Sequence, residues 1–205
     1  SEFALARRVL SVLQPLTWMG LGVALPRFLA DTRLPAPERE GIYATTMVVI
    51  LATSVGCAAV LATVPASVAR VFFGSSDYAP LVPALGLMVV GMGLHAIAYS
   101  WFRGMLDMRS ANTLYTVNLA VIPVGALFFA ADTLDALTKM AVGWTLVSLL
   151  ALVRTPVRHV KSLTLPRARK ALSYGLPRMP GQLAVMALLT APATLASHRY
   201  GVLSG

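Results

Sequence analysis

Charge is what this sequence has least of. Only 12% of its 205 residues are charged, where a soluble domain of this size carries roughly 25%. Apolar residues make up 57% and the mean hydropathy is +0.73. That much apolar side chain cannot be hidden inside one soluble core, so the solvent it implies is a bilayer. Acids are scarcer still. Glu2, Asp31, Glu38, Glu40, Asp77, Asp107, Asp132 and Asp135 all lie in loops or at the ends of apolar runs, and none is in mid-run. A carboxylate ion- or proton-coupling site needs an ionisable group at membrane depth, which this pattern excludes for the stretch in hand.

Cysteine is nearly absent. Cys57 stands alone inside an apolar run, which excludes an intrachain disulfide and a Cys-based metal site and leaves it the role of a small packing residue. His-Glu-x-x-His, Gly-x-Ser-x-Gly and Cys-x-x-Cys spacings do not occur. Gly91-Met92-Gly93 is not a phosphate loop, since no strand precedes it and no Lys-Ser/Thr follows. The sequence therefore offers no catalytic residue, no metal and no cofactor. A secretory signal is not evident either: Arg7 and Arg8 precede a run that is too long and has no cleavage site. The first residues read as the approach to a span, as in a piece of a longer chain.

What is present is a series of apolar runs punctuated by basic loops. Runs at Val9–Ala30, Ile42–Val64, Pro80–Phe102, Ala111–Ala130, Leu134–Val153 and Pro177–Ala196 are each long enough to cross the hydrocarbon as a helix. Pro15, Gly20 and Gly22 interrupt the first. Pro65–Ser76 reads as a short interfacial helix with Phe72 and Phe73 at headgroup depth. Gly86, Gly91 and Gly93 in the third run predict close helix–helix approach. Pro177 and Pro180 read as first-turn helix positions rather than as a PxxP ligand. The fold class is thus all-α, a polytopic transmembrane bundle of about six spans. It divides into a five-span lobe over 1–153, a basic linker over 154–170 and one further span over 171–205.

The formal net charge of +9 would suggest nucleic acid in a soluble protein. Here the basic residues fall in loops, and no aromatic-studded basic patch accompanies them, so nucleic acid is not a partner. The run from Arg154 to Lys170 holds Arg154, Arg158, His159, Lys161, Arg167, Arg169 and Lys170 with no acid among them. Basic residues near span ends resist translocation, so this linker marks the cytoplasmic side. Alternation then puts Arg33, Arg39, Arg103 and Arg109 inside as well. Arg7 and Arg8 break the pattern by falling at the outer end of the first span: either they are tolerated there or they face a water-filled cavity.

Several local patterns resemble, in order and spacing, the polysaccharide flippase branch of the multidrug, oligosaccharidyl-lipid and polysaccharide exporter superfamily. Phe3-Ala4-Leu5-Ala6, Gly20-Leu21-Gly22 and Ala24-Leu25-Pro26-Arg27-Phe28-Leu29-Ala30 look like that family's second span. Arg103-Gly104 looks like its turn between the fourth and fifth spans. Tyr174-Gly175-Leu176-Pro177, with Pro180 beyond, looks like the opening of its seventh. The resemblance covers essentially the whole chain. It implies most of the first of two pseudo-symmetric six-helix lobes plus the first helix of the second, with the rest of the second lobe as a partner.

The resemblance also implies a transporter, not an enzyme, that moves lipid-linked oligosaccharide across the cytoplasmic (inner) membrane by alternating access. A multidrug extruder of the same superfamily is the alternative, and a polytopic membrane transferase ranks last. The carrier's pyrophosphate suits the planar fork of arginine, so Arg7, Arg8, Arg27 and Arg178 are candidates for a cationic cavity. Snorkelling to the interface is the plainer account of such residues. His95 and Asn118, polar groups inside spans, are the remaining candidates. For both, a hydrogen bond between helices is the more ordinary role.

Overall fold

Helix α5 (Leu81–Gly104) is apolar over most of its circumference, and such a helix belongs at the centre of a bundle. The computed structural model, which describes residues 2–156 and 164–200, puts it there. Buried residues make up 78% of its most apolar window, against 39% for α3 (Ala36–Thr63) and 33% for α8 (Thr133–Leu152). It packs against α1 (Glu2–Trp18), α2 (Leu21–Ala30), α3, α4 (Pro65–Phe73), α6 (Met108–Thr116) and α8. A short π-helical segment, Val117–Val121, joins α6 to α7 (Ile122–Phe129). Beyond the linker come α9 (Leu165–Gly175) and α10 (Met179–Tyr200). Every regular element among the described residues is helical.

Five of these stretches are long and apolar enough to cross a membrane, and α1 with α2 makes a sixth if the bent pair is one span. Large apolar side chains point outward: Phe128 is 80% exposed, Val153 82% and Leu188 75%. An all-α bundle with this outer surface is a multi-pass membrane protein.

The glycines of α5 explain how the neighbours come so close. A Cβ on Gly91 would meet the Thr145 hydroxyl at 3.1 Å, one on Gly86 the Ala58 backbone at 3.3 Å, and one on Gly93 would overlap Ser54. The core forms two clusters along α5. The first joins α1, α4 and α8 through Leu10, Phe73, Leu85, Met140 and Trp144. The second joins α2, α3, α6 and α9 through Leu25, Ile42, Tyr43, Ile97 and Ala171.

The first span changes cluster at a sharp break, where α1 and α2 meet at 51°. Pro15 does not make it. That proline sits inside α1, and its carbonyl still accepts the Met19 N–H at 3.0 Å. The break falls at Met19 and Gly20, both in the left-handed region with φ of 46° and 71°. Thr53 donates its hydroxyl to the Thr17 carbonyl at 2.7 Å, satisfying one acceptor at the broken end. Gly20 then lies directly on the backbone of Gly175, and a Cβ on either residue would collide with the other's backbone.

Other expectations need adjustment at their edges. The first helix begins at Glu2 rather than Val9. Phe73 is buried in the core, because α4 folds back against α5. The turn after the third span is shorter than Arg103–Ser110, since α5 runs to Gly104 and α6 starts at Met108. The second half of the basic linker is helix α9. Its Ala171 and Gly175 are buried, and Lys170 reaches Glu38 at 2.8 Å. Arg158, His159 and Lys161 lie outside the described residues, as does the tail from Gly201 on. The loops expected on one side do gather at one end: Tyr43 donates to Thr155 at 2.9 Å, and Arg109 and Arg154 border one groove.

The Gly20 contact yields a direct test. Gly20→Ala combines a strained positive φ with a backbone collision, and it is expected to lower stability by about 2 kcal/mol or more. Met19→Gly relieves strain at the neighbouring position and should be neutral or stabilising. Thermal unfolding of the detergent-solubilised protein reads both, and equal melting temperatures for Gly20→Ala and the parent would refute the contact.

Candidate functional site

Two helical stripes of polar residues face each other beside the break. On α5 they are His95, Tyr99, Ser100 and Arg103, and on α1 Arg7, Ser11, Gln14 and Trp18. Spacings of three, four and seven keep the α1 set on one helix face, and His95, Tyr99 and Arg103 at intervals of four do the same on α5, with Ser100 beside them. Tyr115 and Asn118, Trp144 of α8 and Gln182 of α10 complete the wall of a cavity of about 440 Å³. Gly20 and Gly22 line it too, so the break forms part of the wall.

Asn118 is fixed from three directions. Its amide Nδ2 donates to His95 Nδ1 at 2.9 Å and to Ser148 Oγ at 3.0 Å, and its backbone carbonyl accepts the indole N–H of Trp144. The π-helical turn explains the last bond, because widening the helix there disturbs the normal carbonyl ladder. With Asn118 donating, the acceptor on a neutral His95 is Nδ1, and Nε2 carries the proton. Both residues thus act first as hydrogen-bonded links between helices, while also lining the cavity. His95 stacks on Tyr99 at 5.4 Å and 14° between ring planes, and Tyr115 lies 5.7 Å from Tyr99. Arg103 sits over the Tyr99 ring at 5.6 Å. Trp18 Nε1, Ser100 Oγ and Asn118 Oδ1 are buried without a hydrogen-bond partner among the described residues. Such groups are costly to leave unpaired, and a polar occupant could satisfy them.

A second cavity of about 550 Å³ adjoins the first and shares Ser11, Gln14, Trp18 and Gln182 with it. Arg178 opens onto this one. Its guanidinium lies 3.7 Å from the Tyr174 ring centroid, and Arg27 lies 4.5 Å from the same centroid. Arg27 also donates to the Tyr174 hydroxyl, and Arg178 to its carbonyl, each at 2.5 Å. One tyrosine therefore holds two guanidiniums. Cation–π contact of this kind orients arginine without neutralising it.

Of the six residues singled out from sequence, Arg7, His95 and Asn118 share the first cavity, and Arg178 borders the second. Arg8 and Arg27 are among the lining residues of neither. Sequence reasoning passed over Arg103, Tyr99, Tyr115, Gln14 and Gln182. The signal was there in the helical spacing of polar residues within apolar runs, but Arg103 had been assigned to marking the cytoplasmic side. No carboxylate lines either cavity.

Asn118→Leu strands the His95 and Ser148 partners without adding a cavity. The expected loss is about 1–2 kcal/mol, a drop of a few degrees in thermal melting. An unchanged melting temperature would show that the link contributes nothing.

The model of the polysaccharide biosynthesis protein family matches residues 2–202. No curated protein and no solved structure matches the chain.

Proposed function

This chain belongs to the polysaccharide biosynthesis protein family, and we propose that it works as part of a flippase, carrying a lipid-linked oligosaccharide or polysaccharide precursor across the cytoplasmic (inner) membrane by alternating access. The observation that carries this reading is the joined pair of cavities, where Arg7, Arg103 and Arg178 stand with no carboxylate in the lining. Uncompensated guanidiniums in a site walled by low-dielectric side chains attract an anion strongly. The pyrophosphate of a lipid-linked sugar offers the oxygens that an arginine fork binds in pairs. Tyr99, Tyr115 and Trp18 offer flat apolar faces beside hydrogen-bonding groups, which suits a sugar ring. The lipid tail stays in the bilayer while the headgroup crosses.

On this reading the protein is a transporter and not an enzyme. It moves its cargo by changing the relation between two lobes and needs no cofactor. Gln182 reaches the cavity from α10, the first helix of the proposed second lobe. The outward face of α10, with Val185, Leu188, Leu189 and Leu195 exposed, is where the rest of that lobe would pack. The break at Met19–Gly20 and the joint between α9 and α10 are the places where backbone rotation would let the lobes rock. A cation extruder would need acids at the site, and the cavity supplies none.

The test uses full-length protein in vesicles and follows translocation of lipid-linked sugar. Arg7→Ala and Arg103→Ala should each reduce the rate about tenfold or more, the loss expected for a charge-assisted contact. Unchanged transport in both would remove the cationic-cavity mechanism. Export of cationic dyes, with lipid-linked sugar untouched, would assign the protein to drug extrusion instead.

A further inference from the structure

Arg109, in the first turn of α6, and Arg154, just past the end of α8, are distant in sequence yet border the same groove. The groove holds about 320 Å³ and shares no lining residue with either cavity described above. Its floor is apolar, built from the buried Phe102 and Leu114 with the half-buried Val147, while Leu150 stands exposed at the rim and the hydroxyls of Ser110 and Thr113 stand with the two arginines. Neither guanidinium makes a hydrogen bond or ion pair among the described residues. The nearby acid is Asp107. Its carboxylate caps α6 by accepting the Ser110 N–H at 3.1 Å. The Ser110 hydroxyl first, then that N–H bond, with smaller help from the charges of Arg154 and Arg109, hold its carboxyl below the usual range. One carboxylate committed to a helix cap cannot neutralise two guanidiniums, so the groove remains an anion-attracting site.

Its surroundings decide which anion. Leu146, Leu149, Leu150 and Val153 are exposed along the adjoining face of α8, so the groove opens toward hydrocarbon rather than toward the bundle interior. It lies at the end where the basic loops gather, the end that the positive-inside rule assigns to the cytoplasmic leaflet. That leaflet carries the anionic lipids, and basic pockets between helices there suit phosphate headgroups. A soluble phosphate would leave the apolar floor unused. We propose that the α6–α8 groove seats an anionic bilayer phospholipid, its phosphate between Arg109 and Arg154 and the upper part of an acyl chain along Val147 and Leu150. Marking the cytoplasmic side would need the two charges but not a shared groove with an apolar floor.

The experiment reconstitutes full-length protein in mixed phosphatidylglycerol and phosphatidylcholine, extracts it gently and weighs the intact complexes by native mass spectrometry. The parent should retain phosphatidylglycerol in preference to phosphatidylcholine. Arg109→Gln with Arg154→Gln should weaken that retention about tenfold or more, while Arg33→Gln with Arg70→Gln, an equal change of charge elsewhere, should leave it intact. Leu150→Trp, which crowds the rim where the acyl chain would lie and keeps both charges, should also release the lipid and provides an arm independent of the arginines. Four results would each overturn the proposal: no preference for the anionic lipid, equal loss in the charge control, retention in both groove variants, or displacement by soluble glycerol phosphate as effective as by lipid.

Discussion

The contact between Gly20 and Gly175 joins the chain's two ends into one structure. Backbone meets backbone there, because neither residue has a Cβ to hold the strands apart. The contact lets the first span turn by 51° and send its two halves into different core clusters. Without the turn, the polar stripe of α1 would continue along a straight helix instead of closing against α5. The same contact seats α9 on α2 and α3, which brings Tyr174 under Arg27 and lets Arg178 reach the neighbouring cavity. The glycine of Tyr174-Gly175-Leu176-Pro177 thus has a steric reason to be glycine. Pro177 and Pro180 then sit in opening turns, where a missing N–H costs nothing.

Polar groups at membrane depth can be satisfied by one another or left unpaired, and this bundle does both around one cavity. Asn118, His95 and Ser148 satisfy one another across three helices. Trp18, Ser100 and the remaining oxygen of Asn118 keep hydrogen-bonding capacity at the cavity wall. The arginines follow the same division. Arg103, Arg27 and Arg178 rest on tyrosine faces, which fixes their direction while leaving the charge unspent. A carboxylate partner would have fixed them equally well and cancelled the field. The scarcity of acid noted in the composition is therefore the condition that lets the cavity stay positive.

The spans were legible because twenty apolar residues in a row have few other uses. Glycines at 86, 91 and 93 announced close packing, and Ser54, Ala58 and Thr145 are what they approach. The place of the break was legible in part, since Gly20 was one of the three interruptions seen in the first run, with Pro15 and Gly22, but nothing in the sequence chose among them. Proline is the stronger breaker by type, yet Pro15 is absorbed within α1, while Met19 adopts a positive φ that no propensity assigns to methionine. Tertiary contact with Gly175 decides it. Helix α9 was hidden by its own charge, since a run of Arg and Lys reads as linker until its small residues are seen to fall on one face, against α2 and α3. The cavity was half legible. His95 and Asn118 stood out as polar residues in apolar runs, but Tyr99, Tyr115 and Arg103 resembled interface residues because they lie near span ends.

The basic residues that gather at one end of the bundle show why a charge count and a charge's role are separate questions. The positive-inside rule treats Arg33, Arg39, Arg103, Arg109, Arg154 and Lys170 alike. The structure divides them. Arg33 is spent on Asp31, whose carboxyl its hydrogen bond holds below the usual range. Lys170 is spent on Glu38, and Arg39 donates to the Leu29 carbonyl. Arg103 turns inward over Tyr99, and Arg109 and Arg154 turn to a groove on the outer face. Topology needs only that such charges stay on one side, so it leaves their directions open. Packing then selects directions in which a guanidinium meets either a partner or an open recess. A recess holding two arginines and no free acid is stable only with an anion in it or with solvent screening the repulsion. That physical requirement applies equally to the cavity beside the break and to the groove between α6 and α8. The two differ in what surrounds the charge: hydroxyls, amides and aromatic faces inside the bundle, and leucine and valine on its outer wall. On the two proposals made above, the first environment would suit a sugar phosphate and the second a phospholipid headgroup with its acyl chain, so the two ligands would not compete.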